Sequence, residues 1–478
     1  MDARTDSRTI PLAVDLDGTL IATDLLWESL FLLIRQNPLY LFMVPVWLAG
    51  GKARLKCEIA SRVELDPAAL PYRPEILQLI DDAKHEGRKV VLATASPAKF
   101  ADAVADHLGL FDAVISTRPA LNLASAAKKA ALVESYGEAG FDYVGNSRAD
   151  LQIFDAARQA IVVAPDRNAA RWQKRHEARL IETPKPGVKT LLKMLRVHQW
   201  VKNVLIFVPM ALSHEYLNID VILGCVIAFF AFSAAASSIY IVNDFFDLAL
   251  DRAHPTKRNR PFASGMLSMP FGIGAAAVLL VTSLALGLLL PPLFMLVLVG
   301  YLIATTAYSL ALKRMLLVDV LTLAGLYTVR VLAGAASSPG LTVSFWLLAF
   351  SIFFFLSLAL VKRYVELRMT ALPEGERIAG RGYRTEDQEI IAQAGLASSF
   401  SAALVLALYM QSDTISDLYV HPWMIWPLSP IILYLTMRIW ILARRDEMHD
   451  DPIVFIIRDW RSQTVAILGA LLLVAGTI

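Results

Sequence analysis

From about residue 196 to the end of its 478 residues, the chain is a succession of long apolar runs separated by short polar ones. The runs fall at 203–215, 221–242, 271–290, 293–312, 316–337, 343–361, 391–411, 423–442 and 463–478. Hydrocarbon offers no partner for a bare amide, so a segment that crosses it must satisfy its own backbone, and a helix does this over about 20 residues for ~30 Å of bilayer core. All the runs but the first, which is weak, meet that length or nearly so. The pattern predicts an all-α polytopic membrane domain of nine transmembrane helices. A single soluble body is excluded, as the 56% hydrophobic and 18% charged composition also requires.

The connections orient this domain. Those near 213–220, 291–292, 337–343 and 412–422 carry no Lys or Arg. The alternate ones hold the bases: Lys185 to Lys202, Arg252 to Arg260, Lys313 and Arg314, Lys362 to Arg384, and Arg444 to Arg461. Under the positive-inside rule the base-rich connections are cytosolic, and nine spans carry the C-terminus outside. The N-terminus, MDARTDSRTIPLAVDL, lacks the apolar core of a secretory signal, which predicts a cytosolic start and an inner (plasma) membrane location. Two cysteines, Cys57 and Cys225, cannot build a disulfide framework and read as buried apolar residues.

Residues 1–180 have a different grammar. IPLAVDLDGTL is a short apolar run delivering acids and a glycine, and EGRKVVLATASP, FDAVIST, GFDYVGNSRAD and QAIVVAPD repeat or echo that design. Strands alternating with helices predict a doubly wound, Rossmann-like α/β domain with its ligand at the carboxyl ends of a parallel sheet. A helical insert at about 25–85 reads as a small cap. Its stretch LFLLIRQNPLYLFMVPVWLAGG is broken by Arg35, Gln36 and prolines, and predicts a greasy face toward the membrane domain or the interface. A basic joint, 181–202, leads to the membrane domain at 203–478.

The chemistry concentrates in NDFFDLALDRAHPTKRNRP, residues 243–261. Asn243, Asp247 and Asp251 are spaced i, i+4, i+8, so a continuous helix stacks them on one face with Asp244 about 100° away. Carboxylates at the end of a span are costly without a cation among them, and Mg2+ suits them because it is shared between one or two carboxylates and a substrate phosphate. Arg252, Lys257, Arg258 and Arg260 are the bases that follow, suited to phosphate oxygens. A second polar group, Tyr308, Lys313, Asp319 and Arg330, lies around the next base-rich turn; an intramembrane carboxylate such as Asp319 reads as functional, the alternative being a pair with Arg330. Lys362, Arg363 and Glu366, then Arg381 to Arg384, then His449 to Ser462, add later charge.

These motifs resemble the UbiA superfamily of intramembrane transferases over roughly 190–478. LRVHQWVKN, the 243–261 stretch, KRYVELR…RGYR and MHDDPIVF look most like its decaprenyl-phosphate phosphoribosyltransferase branch. That resemblance implies transfer of phosphoribose from phosphoribosyl diphosphate (PRPP) to a polyprenyl phosphate, with Mg2+ on Asp247, Asp251, Asn243 and Asp244. It implies phosphate-holding roles for Lys202, Lys257, Arg258, Arg260, Tyr308, Lys313, Arg330, Lys362 and Arg363, and a catalytic role for Asp319. The superfamily's prenyl-diphosphate enzymes usually carry a second motif, DxxxD; here Leu323 stands four after Asp319. A prenyl-diphosphate donor with an aromatic acceptor is the alternative.

Residues 10–165 resemble the haloacid dehalogenase-like (HAD) phosphatases. The resemblance implies Asp15 as nucleophile, Asp17 as general acid and base, Asp15, Asp17 and Asp150 around Mg2+, and Thr94 (or Ser96) with Lys128 or Lys129 on the phosphoryl group. Asn146 departs from the family's usual Asp, which leaves an inactive, regulatory domain as the alternative. Nothing in the chain points to nucleic acid; the bilayer and the two phosphorylated substrates are the expected partners, and a homo-oligomer is left open.

Overall fold

The computed structural model describes residues 10–118, 123–369, 382–412, 415, 418–448 and 451–477; Arg381 and His449 lie outside them. The chain divides into two compact units, residues 1–195 with 240–276, and residues 196–239 with 277–478.

The first unit is built on a six-stranded parallel sheet of order β3-β2-β1-β4-β5-β6. Its strands are β1 (Leu12–Val14), β2 (Val90–Pro97), β3 (Ala113–Thr117), β4 (Asp142–Gly145), β5 (Gln159–Val163) and β6 (Arg179–Ile181). β1 pairs on one side with β2 (Leu12 opposite Val90) and on the other with β4 (Leu12 opposite Asp142). Near-continuous apolar runs suit strands covered on both faces, and Leu12, Val14, Val90 and Leu92 are sealed in one core while Ala13, Val91 and Tyr143 are sealed in another. The strand order reverses at β1, so the loops after β1, β2 and β4 converge where such sheets bind ligands. The sixth strand, RLI, is short and half-exposed, too weak to stand out in sequence.

The insert forms α1 (Leu25–Gln36), α2 (Tyr40–Ala49) and α3 (Lys52–Ala60). The cap is narrower than expected from the sequence: α4 (Pro74–His85) places Ile76, Ile80 and Ala83 on one face and packs them into the sheet's core.

Among the described residues, eight helices are long and apolar enough to cross a membrane: Ile219–Phe246, Met269–Gly287, Pro292–Leu310, Val318–Ala336, Phe345–Met369, Thr385–Tyr409, Pro422–Arg444 and Trp460–Thr477. The ninth expected span, 203–215, is not such a helix. Its place is taken by an eleven-residue 3-10 helix, Val197–Phe207, and a five-residue α-helix, Val208–Leu212, with Pro209 in its first turn.

Candidate active sites

In the sheet unit the β1 loop turns back on Gly18, whose φ of +76° favours glycine and whose missing Cβ would stand 2.2 Å from the Asn146 amide. Asp15 and Asp17 leave the strand end on opposite errands. Asp15 receives Lys128 Nζ at 2.9 Å; the same Nζ reaches Asp150 at 3.1 Å, and all three side chains are buried. Asp17 accepts from Ser96 Oγ at 2.5 Å and from the backbone amide of Leu25 at 2.8 Å, so the first turn of α1 is fastened to it. Burial pushes Asp15 up to about 7 and Asp17 up to about 6, the neighbouring Asp24 adding to the latter. Burial alone would lower Lys128, but Asp15 and Asp150 outweigh it and keep the ammonium charged.

This geometry sets the sequence candidates in different places. Lys128, not the half-exposed Lys129, enters the site. Ser96 holds Asp17, whereas Thr94 Oγ1 accepts from the Ser96 amide at 3.0 Å and supports that turn from beneath. Asp150 accepts from Tyr143 Oη and Lys128 on one oxygen, and from Ser147 Oγ and the amides of Asn146 and Ser147 on the other. With both oxygens so engaged, it orients Lys128 and the 146–147 turn. Sequence reading missed Tyr143 and also Lys56, which reaches from α3 to the carbonyl of Ala95 at 2.7 Å; neither belongs to a recognisable motif.

The acid–base stretch belongs to the same unit. The long helix ends at Phe246 and a new short helix, Leu248–Ala253, starts after Asp247, but the amides of Asp247 and Asp251 still donate to the carbonyls of Asn243 and Asp247, at 3.0 and 2.8 Å, so the i, i+4 spacing carries across the junction. Asp244 and Asp251, seven residues apart and both buried, are joined by Arg260, at 3.3 and 2.5 Å. Asn243 and Asp247 are half-buried beside them, and Lys257 and Arg258 are exposed. Arg252 turns away into a bidentate pair with Glu28 of α1, at 2.5 and 3.0 Å, and also donates to the carbonyl of Ala263 at 3.0 Å. Two further contacts fix α1 here: Arg35 donates to the carbonyl of Phe246 at 2.8 Å, and Phe31 packs on Phe245 with ring centroids 4.8 Å apart. Gly265, at φ +72°, lies so close to Ala22 that a Cβ would stand 2.5 Å from its carbonyl oxygen.

The second unit gathers cations. The 3-10 helix rises ~6 Å in three residues, as an α-helix does in four, so its residues at i, i+3 can track an α-helix at i, i+4. Trp200 accordingly donates to Ser237 at 2.9 Å and Asn203 to Ser233 at 2.9 Å. Asn203 Oδ1 accepts from Arg330 at 2.8 Å, and that guanidinium lies over the rings of Tyr301 and Tyr327. Lys202, at 2.8 Å, and Lys362, at 3.2 Å, converge on Asp451. Burial raises Asp451, but the two lysines win and hold it well below the usual carboxylate range.

Asp319 is fully buried, and its partner is not Arg330 but Arg363, at 2.6 Å, with Tyr383 Oη donating at 2.5 Å. Arg363 is thereby a sealed structural base, paired also with Glu366. Tyr308 sits on the last turn of Pro292–Leu310, and Lys313 on the 3-10 turn that follows.

Residues 204–458 match the UbiA prenyltransferase family. The chain belongs to that family. Residues 43–155 match the haloacid dehalogenase-like hydrolases, so a HAD domain is fused ahead of the UbiA domain. Uncharacterized protein y4nM of Sinorhizobium fredii is 40% identical over 474 residues, 97% of this chain and 90% of that one. The decaprenyl-phosphate phosphoribosyltransferase of Mycobacterium tuberculosis is 38% identical over 192 residues, 39% of this chain and 63% of its own length. Nodulation protein NoeC of Azorhizobium caulinodans is 31% identical over 283 residues, covering 59% and 90%. Among solved structures, a UbiA homolog from Archaeoglobus fulgidus aligns with TM-score 0.46 and 16% identity over 60% of this chain and 96% of that one.

Proposed function

We propose that the UbiA domain transfers 5-phosphoribose from PRPP to a polyprenyl phosphate, and that the HAD domain then removes the 5-phosphate to leave polyprenyl-phosphoryl-ribose. The observation that carries this reading is the charge balance around Asp451. Among the described residues, Lys202 and Lys362 converge on Asp451, with Arg330 held nearby through Asn203 and Tyr327. Asp319 adds no free charge, because Arg363 and Tyr383 already hold it. An excess of cation suits an acceptor that is itself a phosphate. Such an acceptor arrives ionised and needs no general base. The same neutralisation of Asp319 counts against a prenyl-diphosphate donor gripped by two acidic clusters.

In the transfer, an acceptor phosphate oxygen attacks the anomeric carbon and the bond from that carbon to diphosphate breaks. Asp247 and Asn243 would hold Mg2+, with Asp244 and Asp251 steadied by Arg260. Oxygen donors of this kind fit a hard cation shared between a carboxylate or two and a substrate phosphate. Mg2+ so bound would neutralise phosphate charge at both sites. Exposed Lys257 and Arg258 are disposed to hold further phosphate oxygens.

In the HAD domain the buried Asp15 and half-buried Asp17 carboxylates suit a cation likewise, with Asn146 beside the turn. Asp15 attacks phosphorus, Asp17 protonates the departing ester oxygen, and Lys128 holds the phosphoryl group. Water then attacks the aspartyl-phosphate, giving its proton to Asp17 and releasing phosphate.

The base-rich connections support cytosolic sites in an inner membrane. That orientation requires Val197–Leu212 to cross, and eleven residues at ~2.0 Å with five at ~1.5 Å reach roughly 30 Å. The decisive experiment incubates purified protein with PRPP, polyprenyl phosphate and Mg2+ and weighs the lipid. A pentose adduct is expected; no pentose on the lipid sinks the transfer, and a persistent phosphopentose adduct sinks the second step.

A further inference from the structure

Residues 37–51, NPLYLFMVPVWLAGG, contain no charged side chain, and ten of them form α2. Only Trp47 of this helix is buried, in a cluster with Leu33, Leu55 and Ile59 of the flanking helices. The rest of its apolar surface is bare: Phe42 is 74% exposed and Leu39 67%, with Leu41, Val46 and Leu48 also open. A cap helix facing water would carry a polar side; this one is apolar all round. At ten residues it is about 15 Å long, half of what a crossing needs.

What covers this surface follows from where α1 delivers it. The last turn of α1 is moored to Phe246, the final residue of the span-length Ile219–Phe246 helix, through the Arg35 hydrogen bond. Phe31, one turn earlier, packs on Phe245 and Phe246. The apolar run of that helix ends at 242, ~6 Å before Phe246, which puts Phe246 just outside the hydrocarbon at the membrane surface, and α2 begins four residues beyond α1. Bases flank the apolar stretch, Arg35 before it and Lys52 and Arg54 after it, as expected of a segment lying among lipid headgroups.

We propose that α2 lies in the bilayer surface, its Leu39–Phe42–Val46 side among the upper acyl chains, as a lipid-embedded anchor of the HAD cap. The consequence rests on the function proposed above. An anchored cap keeps the phosphatase mouth at the membrane, so a phosphomonoester on a polyprenyl chain is reached without extracting its lipid.

The test uses the full chain with Cys57 and Cys225 replaced by Ala and a single fluorophore attached through Phe42→Cys, reconstituted in phosphatidylcholine–phosphatidylglycerol vesicles. Nitroxide lipids labelled high on the acyl chain are expected to quench this probe while aqueous iodide does not. A probe attached through Glu134→Cys, on the exposed face of the helix Ala126–Tyr136, should show the reverse. Iodide quenching at position 42 without lipid quenching overturns the proposal, as does cross-linking of two copies through that position. Val46→Cys gives the same two readings should the first variant fold poorly. Separately, Phe42→Glu should slow hydrolysis of the lipid-linked phosphomonoester and leave a soluble one untouched. Lipid quenching without any phosphatase activity would leave the anchor standing and remove only the enzymatic reading.

Discussion

Replacing Glu28 with Ala removes the carboxylate that, among the described residues, is paired with Arg252, and leaves a guanidinium that is nine-tenths buried facing an empty space. Breaking a buried ion pair from one side costs about 3–5 kcal/mol, because the survivor stays desolvated and unpaired. Arg252 keeps its bonds to the carbonyls of Ala263 and Ala69, at 3.0 and 3.4 Å, which places the expected loss at the lower end, about 3 kcal/mol. That penalty falls on the loop carrying the acid–base stretch, whose moorings to α1 are this pair, the Arg35 bond and the Phe31 packing. Local opening of residues 247–265 should become about a hundredfold more frequent, at 1.4 kcal/mol per decade. Hydrogen exchange by mass spectrometry on the full chain reads this directly, and trypsin should cut faster after Lys257 and Arg258. In the transferase assay the loss should appear chiefly as a raised KM for PRPP, with Glu28→Gln intermediate, since an amide still accepts from Arg252. Unchanged exchange in 247–265 would refute the reasoning; equal falls in both enzyme activities would mean a general loss of structure instead.

Asp247→Ala should abolish transfer and spare hydrolysis of a soluble phosphomonoester, and Asp15→Asn should do the opposite; loss of both activities in either variant would contradict two separate sites. Lys128→Met leaves Asp15 and Asp150 facing each other without their shared cation, so phosphatase turnover should fall by orders of magnitude while pentose transfer to lipid, read by mass, is retained. Asp15 and Asp17 are raised to about 7 and about 6, so between about pH 4 and 7 the folded state holds more protons than the unfolded one and their contribution to stability falls as pH rises. A divalent cation binds the deprotonated pair; in an Asp247→Ala background, the rise in thermal midpoint on adding Mg2+ should therefore be small at pH 5 and full at pH 8, and equal shifts at both would refute it. Tyr383→Phe removes a buried donor to Asp319 and should lower stability by about 1–3 kcal/mol, measured by denaturation in detergent.

Much of this was written locally. The apolar runs and strand-end acids need only neighbours in sequence to be recognised, so the fused architecture and the parallel sheet were legible, and Asp15 and Asp150 stood out as candidates, while the choice of Lys128 over Lys129 needed the fold. What sequence did not carry shares a cause. Helical spacing placed Asn243, Asp247 and Asp251 in register, but it gave no sign of the break after Phe246 or of Arg260 bridging Asp244 and Asp251. For Asp319 the pairing alternative named Arg330, eleven residues along its own helix, whereas the base it meets, Arg363, comes from another. Periodicity speaks for one continuous element; it is silent on kinks and on which distant base fills a buried site. The ninth run is not a span-length α-helix for a related reason, because 3-10 winding leaves no signature in a scale tuned to α-helical length.

The same limit hides the most consequential boundary. Motif reading divides the chain near residue 200, yet Tyr240–Ala276 packs with the N-terminal residues. The stretch holding Asn243, Asp247 and Arg258 is thus scaffolded by the HAD cap, through Glu28, Arg35, Phe31 and the close approach of Ala22 to Gly265. Asp17 fastens the other end of the same helix, so α1 runs from Asp17 to the loop carrying Asp247 within twelve residues. A rigid element anchored at both ends transmits a displacement at one to the other only if it has two arrangements. The relevant measurement is whether diphosphate bound at the loop alters hydrolysis of a soluble phosphomonoester, and whether Glu28→Ala erases that effect. Linkage demands reciprocity, so a phosphate analogue on Asp15 must then change diphosphate affinity by the same factor. No effect in either direction would reduce α1 to a strut that holds the loop and carries no signal.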